Sequence, residues 1–226
     1  MSLSQLSFES VCAQLINTYT VKNWWPAESC FEVLVGAVLV QNTRWTNVEK
    51  AITCLREQQC LDPENLSHIN PTDLQNLIRS AGCQSVKARR LMAIASWVVA
   101  SGGLELLETL TTTEMRDALL NVHGIGEETA DAILCFGFAR RVFIADKYAR
   151  TWLLRMGLVS ESAARRYSSC RQFAESALAG TDVCMQDLHA AIVVHVQSVC
   201  HREPKCCKCT LKDMCSMGSD IEINEA

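Results

Sequence analysis

Two glycines one residue apart, Gly124 and Gly126, interrupt a stretch of helical periodicity, and few chains can pass through such a point except as helix, tight turn, helix. Upstream, Thr111 and Glu114 have the spacing of a capping box ahead of Met115, Ala118, Leu119 and Val122; downstream, Thr129, Ala130, Ile133 and Leu134 repeat at three and four. The turn His123, Gly124, Ile125, Gly126 calls for positive φ angles, which glycine adopts without steric cost. It also leaves backbone N–H groups of the turn and of the next helix start unpaired, an arrangement suited to a phosphate. Asp146 follows in the run Phe143-Ile-Ala-Asp-Lys-Tyr148, at a place suited to capping a helix through Tyr148 and Leu153.

Most of the remaining chain also reads as helix. Leu91, Ile94, Ala95 and Val98 keep the three-four spacing, as do Leu188, Ala191, Ile192 and Val196. Phe31 to Val40 is nearly all apolar, and with no partner strands apparent it is expected to be a buried helix. The fold class predicted is all-α, with about ten helices and short turns. At 49% hydrophobic and 20% charged residues the composition is that of a globular protein, and no apolar run approaches the roughly 18 residues of a membrane span. The first basic residue is Lys22, which argues against a targeting peptide, so an intracellular protein is expected. A net charge of -4 excludes a uniformly basic surface but not local cationic groups. Candidates for such groups are Lys87, Arg89 and Arg90; Arg140 and Arg141; Lys147 and Arg150; and Arg202, Lys205, Lys208 and Lys212.

Of 13 cysteines, eight are dispersed in apolar helical patterns, where a thiol serves as a small hydrophobe. The other five, Cys200, Cys206, Cys207, Cys209 and Cys215, crowd one short segment and ask for a metal. Cys200, Cys206, Cys209 and Cys215 could surround an iron-sulfur cube; a four-cysteine zinc site is the alternative. Cys207 could replace Cys206 as a ligand. His189 and His195, on the helix leading to this segment, are expected to be hydrogen-bonded packing residues.

Hairpin, downstream aspartate and terminal cysteine loop, in this order, resemble the helix-hairpin-helix DNA glycosylases of the endonuclease III superfamily, over nearly the whole chain. The resemblance implies a six-helix domain at 23–135 bearing the hairpin. A second domain, of 1–22 with 136–226, would be closed by a 4Fe-4S loop at 200–215, with Cys200, Cys206, Cys209 and Cys215 as ligands. The family's loop has one more residue between the first two cysteines. Asp146 matches the catalytic aspartate, and His123, Gly124, Ile125, Gly126 and Lys147 would contact DNA. Within Gly124-Ile-Gly-Glu-Glu-Thr-Ala-Asp131, Glu128 stands where the bifunctional members carry a catalytic lysine. A carboxylate cannot form the imine needed for strand cleavage, so the resemblance implies base removal without lyase activity.

Trp24-Trp25-Pro26 and Gln41-Asn-Thr-Arg-Trp45 resemble the base pocket of the 3-methyladenine branch of the superfamily. That places Trp24, Trp25, Pro26, Trp45 and Glu128 around a flipped base and Gln41 in the gap it leaves in the duplex. Ser80-Ala-Gly-Cys-Gln84 aligns with the opposite wedge loop but lacks a large apolar wedge. Some members of the branch have lost the cluster, so its presence is no guide to substrate. The expectation is a monomer acting on double-stranded DNA with a damaged base, in the bacterial cytoplasm with the nucleoid and with no membrane association. An endonuclease III-like lyase for oxidised pyrimidines and a non-catalytic DNA-binding iron-sulfur protein are the alternative functions.

Overall fold

A computed structural model describes residues 7–21 and 23–218, and among them every regular element is helical. Trp25–Arg140 form one compact unit, and the described residues on either side form a second. The second unit opens with α1 (Phe8–Thr18). The first unit carries α2 (Cys30–Leu39), α3 (Trp45–Glu57), α4 (Pro63–His68), α5 (Pro71–Leu77), α6 (Gln84–Ala100), α7 (Leu104–Glu108), α8 (Thr112–Leu120) and α9 (Glu127–Ala132). The second continues with α10 (Lys147–Arg155), α11 (Glu161–Ala164), α12 (Tyr167–Ala177) and α13 (Met185–Ser198).

These thirteen helices exceed the ten or so expected, and the first unit holds eight rather than six. The extra ones are short: α4, α5, α7 and α11 have four to seven residues, too few turns for an apolar repeat to show. Local chemistry still marks some of them. Asp62 and Asn70 cap α4 and α5, each followed by a proline at the first helical position, where its missing N–H costs nothing.

The first unit is built around α2. Every residue from Phe31 to Leu39 is buried, as the all-round apolarity of the run requires, and α3, α6 and α9 pack against it. Its one acid, Glu32, accepts on both carboxylate oxygens from Nη2 of Arg56 in α3, at 2.8 and 2.9 Å. After α9 the helix widens into a π turn, Ile133–Gly137, which also packs on α2. A β-carbon at Gly137 would touch Leu34, Cys30 and Val33 at 3.4–3.6 Å. This packing carries the unit on to Arg140, past the expected boundary at 135.

In the second unit α13 is the central element, with α1 and α10 against it. Trp152 of α10 is almost fully buried, and its ring lies 6.0 Å from that of Phe8 in α1. The N-terminal segment is thereby fastened to the C-terminal half of the chain by burial of large apolar rings.

Several cations expected on charged faces hold the backbone instead. Lys87 is buried and donates from Nζ to the carbonyls of Leu39 (2.8 Å) and Ala81 (2.7 Å), closing the end of α2; burial draws its pKa down. Arg140 donates to the carbonyls of Glu108 and Leu110, and Arg141 to those of Val183 and Leu178. Helix ends and loops leave carbonyls that need donors, and long cationic side chains supply them.

Candidate functional site

The hairpin forms between α8 and α9. Thr111 and Glu114 make the capping box that starts α8, with the Thr111 N–H donating to Glu114 at 2.8 Å. The turn is anchored by buried Val122 and Ile125, while His123 is exposed. Gly124 has φ +85°, the left-handed region expected for it. Gly126 does not: at φ -97° and ψ 178° it is extended and serves as the N-cap of α9, without a side-chain cap for the first turn. The glycine at 124 has a second cause. A β-carbon there would lie 2.3 Å from Cγ and 2.6 Å from Cδ of Arg90, whose stem crosses the turn.

Arg116 of α8 clamps the two helices by donating from Nε and Nη2 to Asp131 of α9 at 2.7 and 3.2 Å, and from Nη2 to Glu127 at 3.3 Å. Asp131 is fully buried, and its hydrogen bond raises the Arg116 pKa above the usual value. Neither residue has a local sequence signature, because the pairing depends on how the hairpin folds.

Gln41, expected to project into the duplex, is folded onto this hairpin. Its Nε2 donates to Thr129 Oγ1 at 2.9 Å and to the Gly124 carbonyl at 3.3 Å, and its Oε1 accepts from Nη1 of Arg90. Thr129 and Arg90 were not singled out in the sequence as partners of this residue. The loop at 80–84 has two successive positive φ values, Gly82 (+71°) and Cys83 (+47°), and the Cys83 side chain is exposed.

Trp25 and Trp45 come together edge to face, with ring centroids 5.1 Å apart. Phe136, from the π turn, completes the group at 5.1 Å from Trp25 on a tilted stack. The wider turn places this ring where regular helical periodicity would not, and π turns often occur at functional positions. Trp25 lies on Gly36, where a β-carbon would approach its indole at 3.3 Å. Trp24 falls in the second unit and is half-buried; Pro26 and Glu128 are exposed.

Asp146 is the N-cap of α10 and accepts the Ala149 N–H on Oδ1 at 2.8 Å. Lys147 follows it, exposed, at the first helical position. His189 of α13 stands behind: burial lowers its pKa, against the charge of Asp146 and a hydrogen bond with the Ile144 backbone.

Cys200, Cys206, Cys209 and Cys215 line one cavity with Trp152, Met156, Val199 and Pro204, while Cys207 is exposed and outside it. Burial pushes the thiols of Cys209 and Cys215 up, and the charges of Cys200 and Cys206 push further. Among the described residues no group of three or more His, Cys, Asp or Glu side chains is placed to hold a metal ion; the four cysteines line a common cavity. Arg155 donates to the carbonyls of Cys200 and His201 and, at 3.3 Å, to the Cys200 sulfur. His195 joins α1's end to the loop, with Nδ1 3.0 Å from the Tyr19 hydroxyl and Nε2 3.9 Å from the Cys209 sulfur; burial lowers its pKa to about 4.

The helix-hairpin-helix turn and the capping aspartate of α10 both lie within residues 35–202, which match the HhH-GPD superfamily of base excision DNA repair proteins. The chain belongs to that superfamily. It is 35% identical over 89% of its length to a Methanocaldococcus jannaschii protein assigned as a DNA repair glycosylase, covering 92% of it. It is 27% identical to endonuclease III of Sulfolobus acidocaldarius, over 84% of this chain and 83% of the relative. Among solved structures it resembles the Helicobacter pylori 3-methyladenine DNA glycosylase bound to 1,N6-ethenoadenine: TM-score 0.71, 26% identity, 85% of this chain and 98% of that one. The fold of an endonuclease III in a DNA complex is also similar, at TM-score 0.81 and 17% identity over 99% of both chains.

One measurement checks the hairpin. Gly124→Ala must place a β-carbon against Arg90 and hold alanine at a positive φ, so duplex affinity is expected to fall about tenfold or more. Fluorescence anisotropy reads the affinity, and a circular-dichroism melt checks that the variant is folded.

Proposed function

We propose that the protein is a monofunctional DNA glycosylase that releases alkylated purines, 3-methyladenine above all, from duplex DNA, acting as a monomer in base excision repair. The observation that carries this reading is a carboxylate fixed at a helix start, Asp146, in a member of the superfamily; Glu128 is read as standing where bifunctional members carry the lyase lysine. As the bond from base to sugar lengthens, C1′ gains oxocarbenium character. A carboxylate stabilises that charge or orients the water that adds there, and the base departs with the bonding electrons. The Ala149 N–H holds Oδ1, which restricts the side chain to one orientation. Lys147 is assigned to a neighbouring phosphate.

For the base, Trp25, Trp45 and Phe136 supply aromatic surface. An alkylated adenine is electron-poor, and indole faces attract it by roughly 1–2 kcal/mol each when water is excluded. Such a base leaves readily, which lessens the need for an acid to protonate it. The likeness to the Helicobacter pylori enzyme supports this substrate class. Chromatography of bases released from broadly methylated DNA tests it: free 3-methyladenine with an intact strand is expected.

The relatedness to endonuclease III favours a second reading, a glycosylase with lyase activity on oxidised pyrimidines. Borohydride trapping separates the two, because only an amine nucleophile leaves a covalent protein–DNA adduct.

We assign a 4Fe-4S cluster to Cys200, Cys206, Cys209 and Cys215. Their shared cavity, lined also by Trp152, Met156 and the cation of Arg155, has the donor set of an anionic thiolate-bound cube. Bound there, the cluster would cross-link the loop. Cys206→Ser is expected to lower iron content and the visible absorbance of the cluster, while Cys207→Ser leaves both unchanged. The opposite pattern would make Cys207 the ligand.

A further inference from the structure

Arg90 is placed where two parts of the expected DNA-binding apparatus meet. Its aliphatic stem lies against Gly124 so closely that no β-carbon fits there. Its Nη1 donates to Gln41 Oε1, and the Gln41 amide donates in turn to the Gly124 carbonyl and to Thr129. The hydrogen bonds thus close a ring: Arg90, Gln41, hairpin. The ring occupies both ends of the Gln41 amide, so the side chain cannot extend while these bonds persist. The guanidinium has donors beyond the one Gln41 takes, and its buried Nε has no acceptor. An unmatched donor beside the hairpin turn favours an anion, and a phosphate accepts two parallel N–H bonds from one guanidinium.

We propose that Arg90 is a phosphate-released latch on Gln41: a backbone phosphate arriving at the hairpin draws the guanidinium from the Gln41 carbonyl oxygen and so frees the glutamine to enter the duplex. The latch deepens the glycosylase reading and rests on it for the destination of Gln41. It makes Arg90 a positioning residue. The sequence of events follows from competition for one cation. A charge-assisted bond to phosphate is stronger than a bond to a neutral amide, so the amide loses its tether when the phosphate seats. Gln41 would then leave its pocket on the hairpin only where DNA is already gripped. Its exposure to wrong partners is reduced accordingly.

The test uses the full-length protein and a duplex containing a tetrahydrofuran abasic analogue, with binding measured by anisotropy across a KCl series. Each phosphate contact by a cation adds about one to the slope of log affinity against log salt. Arg90→Ala is expected to lower that slope by about one, and Arg90→Lys, which keeps the charge, to restore it. A merely structural arginine would weaken binding with the slope unchanged, and that result overturns the proposal. Gln41→Ala removes the tether, so affinity for undamaged duplex is expected to rise about two- to tenfold, the equivalent of one hydrogen bond no longer broken on binding. A fall in that affinity is equally fatal. With 2-aminopurine opposite the analogue, wild-type binding should give the fluorescence change of an inserted side chain, lost in Gln41→Ala; its retention overturns the destination assigned to Gln41. Released-base chromatography stands apart from all three readouts: a protein that frees no base yet shows this salt and fluorescence pattern keeps its latch and loses its glycosylase assignment.

Discussion

Asp146→Asn should cut the single-turnover rate of base release about a hundredfold or more, the scale on which removal of one electrostatic stabiliser of a charged transition state acts. Asparagine caps a helix as well as aspartate does, and its side-chain oxygen can still accept the Ala149 N–H. The helix α10 and the midpoint of thermal unfolding should therefore change little. Duplex affinity should hold within a few fold, since a neutral amide removes no phosphate contact. The substitution thus separates charge from shape at one position. Quench-flow on a duplex carrying a single 3-methyladenine analogue reads the rate, and a variant that releases base as fast as the parent would remove Asp146 from the chemistry.

Arg116→Ala carries the largest expected effect on stability. It removes the guanidinium that faces the carboxylate of Asp131, which has 0% exposure, and breaking one side of a buried pair costs about 3–5 kcal/mol. For a chain of this size the unfolding midpoint should drop by roughly 10 °C, read by calorimetry. Duplex affinity should fall in the same variant, because the clamp sets the angle between α8 and α9 on either side of the turn. The double substitution Arg116→Met with Asp131→Leu removes both charges and fills the space, so it should recover much of the lost stability. If the single variant melts with the parent, the pair contributes nothing of this size.

The all-helical fold was legible because long amphipathic segments repeat every three to four residues, as in α6 and α13, and because the apolar run at 31–40 is too uniform for a half-exposed element. The capping box at Thr111 and Glu114 was equally plain, since both partners lie within one turn. Short helices escaped the pattern, and so did the π turn, whose extra residue breaks the period that helix recognition depends on. Gly124 needs its positive φ, whereas Gly126 is an extended N-cap, and only the backbone distinguishes them.

Basic residues show the limit most clearly. Lys87, Arg140 and Arg141 look in sequence like members of charged groups, yet each ends on backbone carbonyls that lie far away in the chain. Arg90 belongs in sequence to the same charged group as Lys87 and Arg155 to none, yet they stand at the hairpin and at the cysteine cavity. A cation's role is set by the acceptor that meets it, and acceptors are distributed by folding.

By itself the sequence determined what is local: helical periodicity, helix starts, a glycine where the chain must turn left-handed, a capping aspartate, and four thiols separable from a fifth only as alternatives. Tertiary structure decided what is shared between distant segments: Arg116 with Asp131, Gln41 with Arg90 and Thr129, Phe136 with Trp25, and Cys207 outside the cavity its neighbours line. Spacing along a chain fixes the face a side chain takes on its own helix. Its partner is chosen by the burial of apolar surface throughout the compact unit, which no local pattern records.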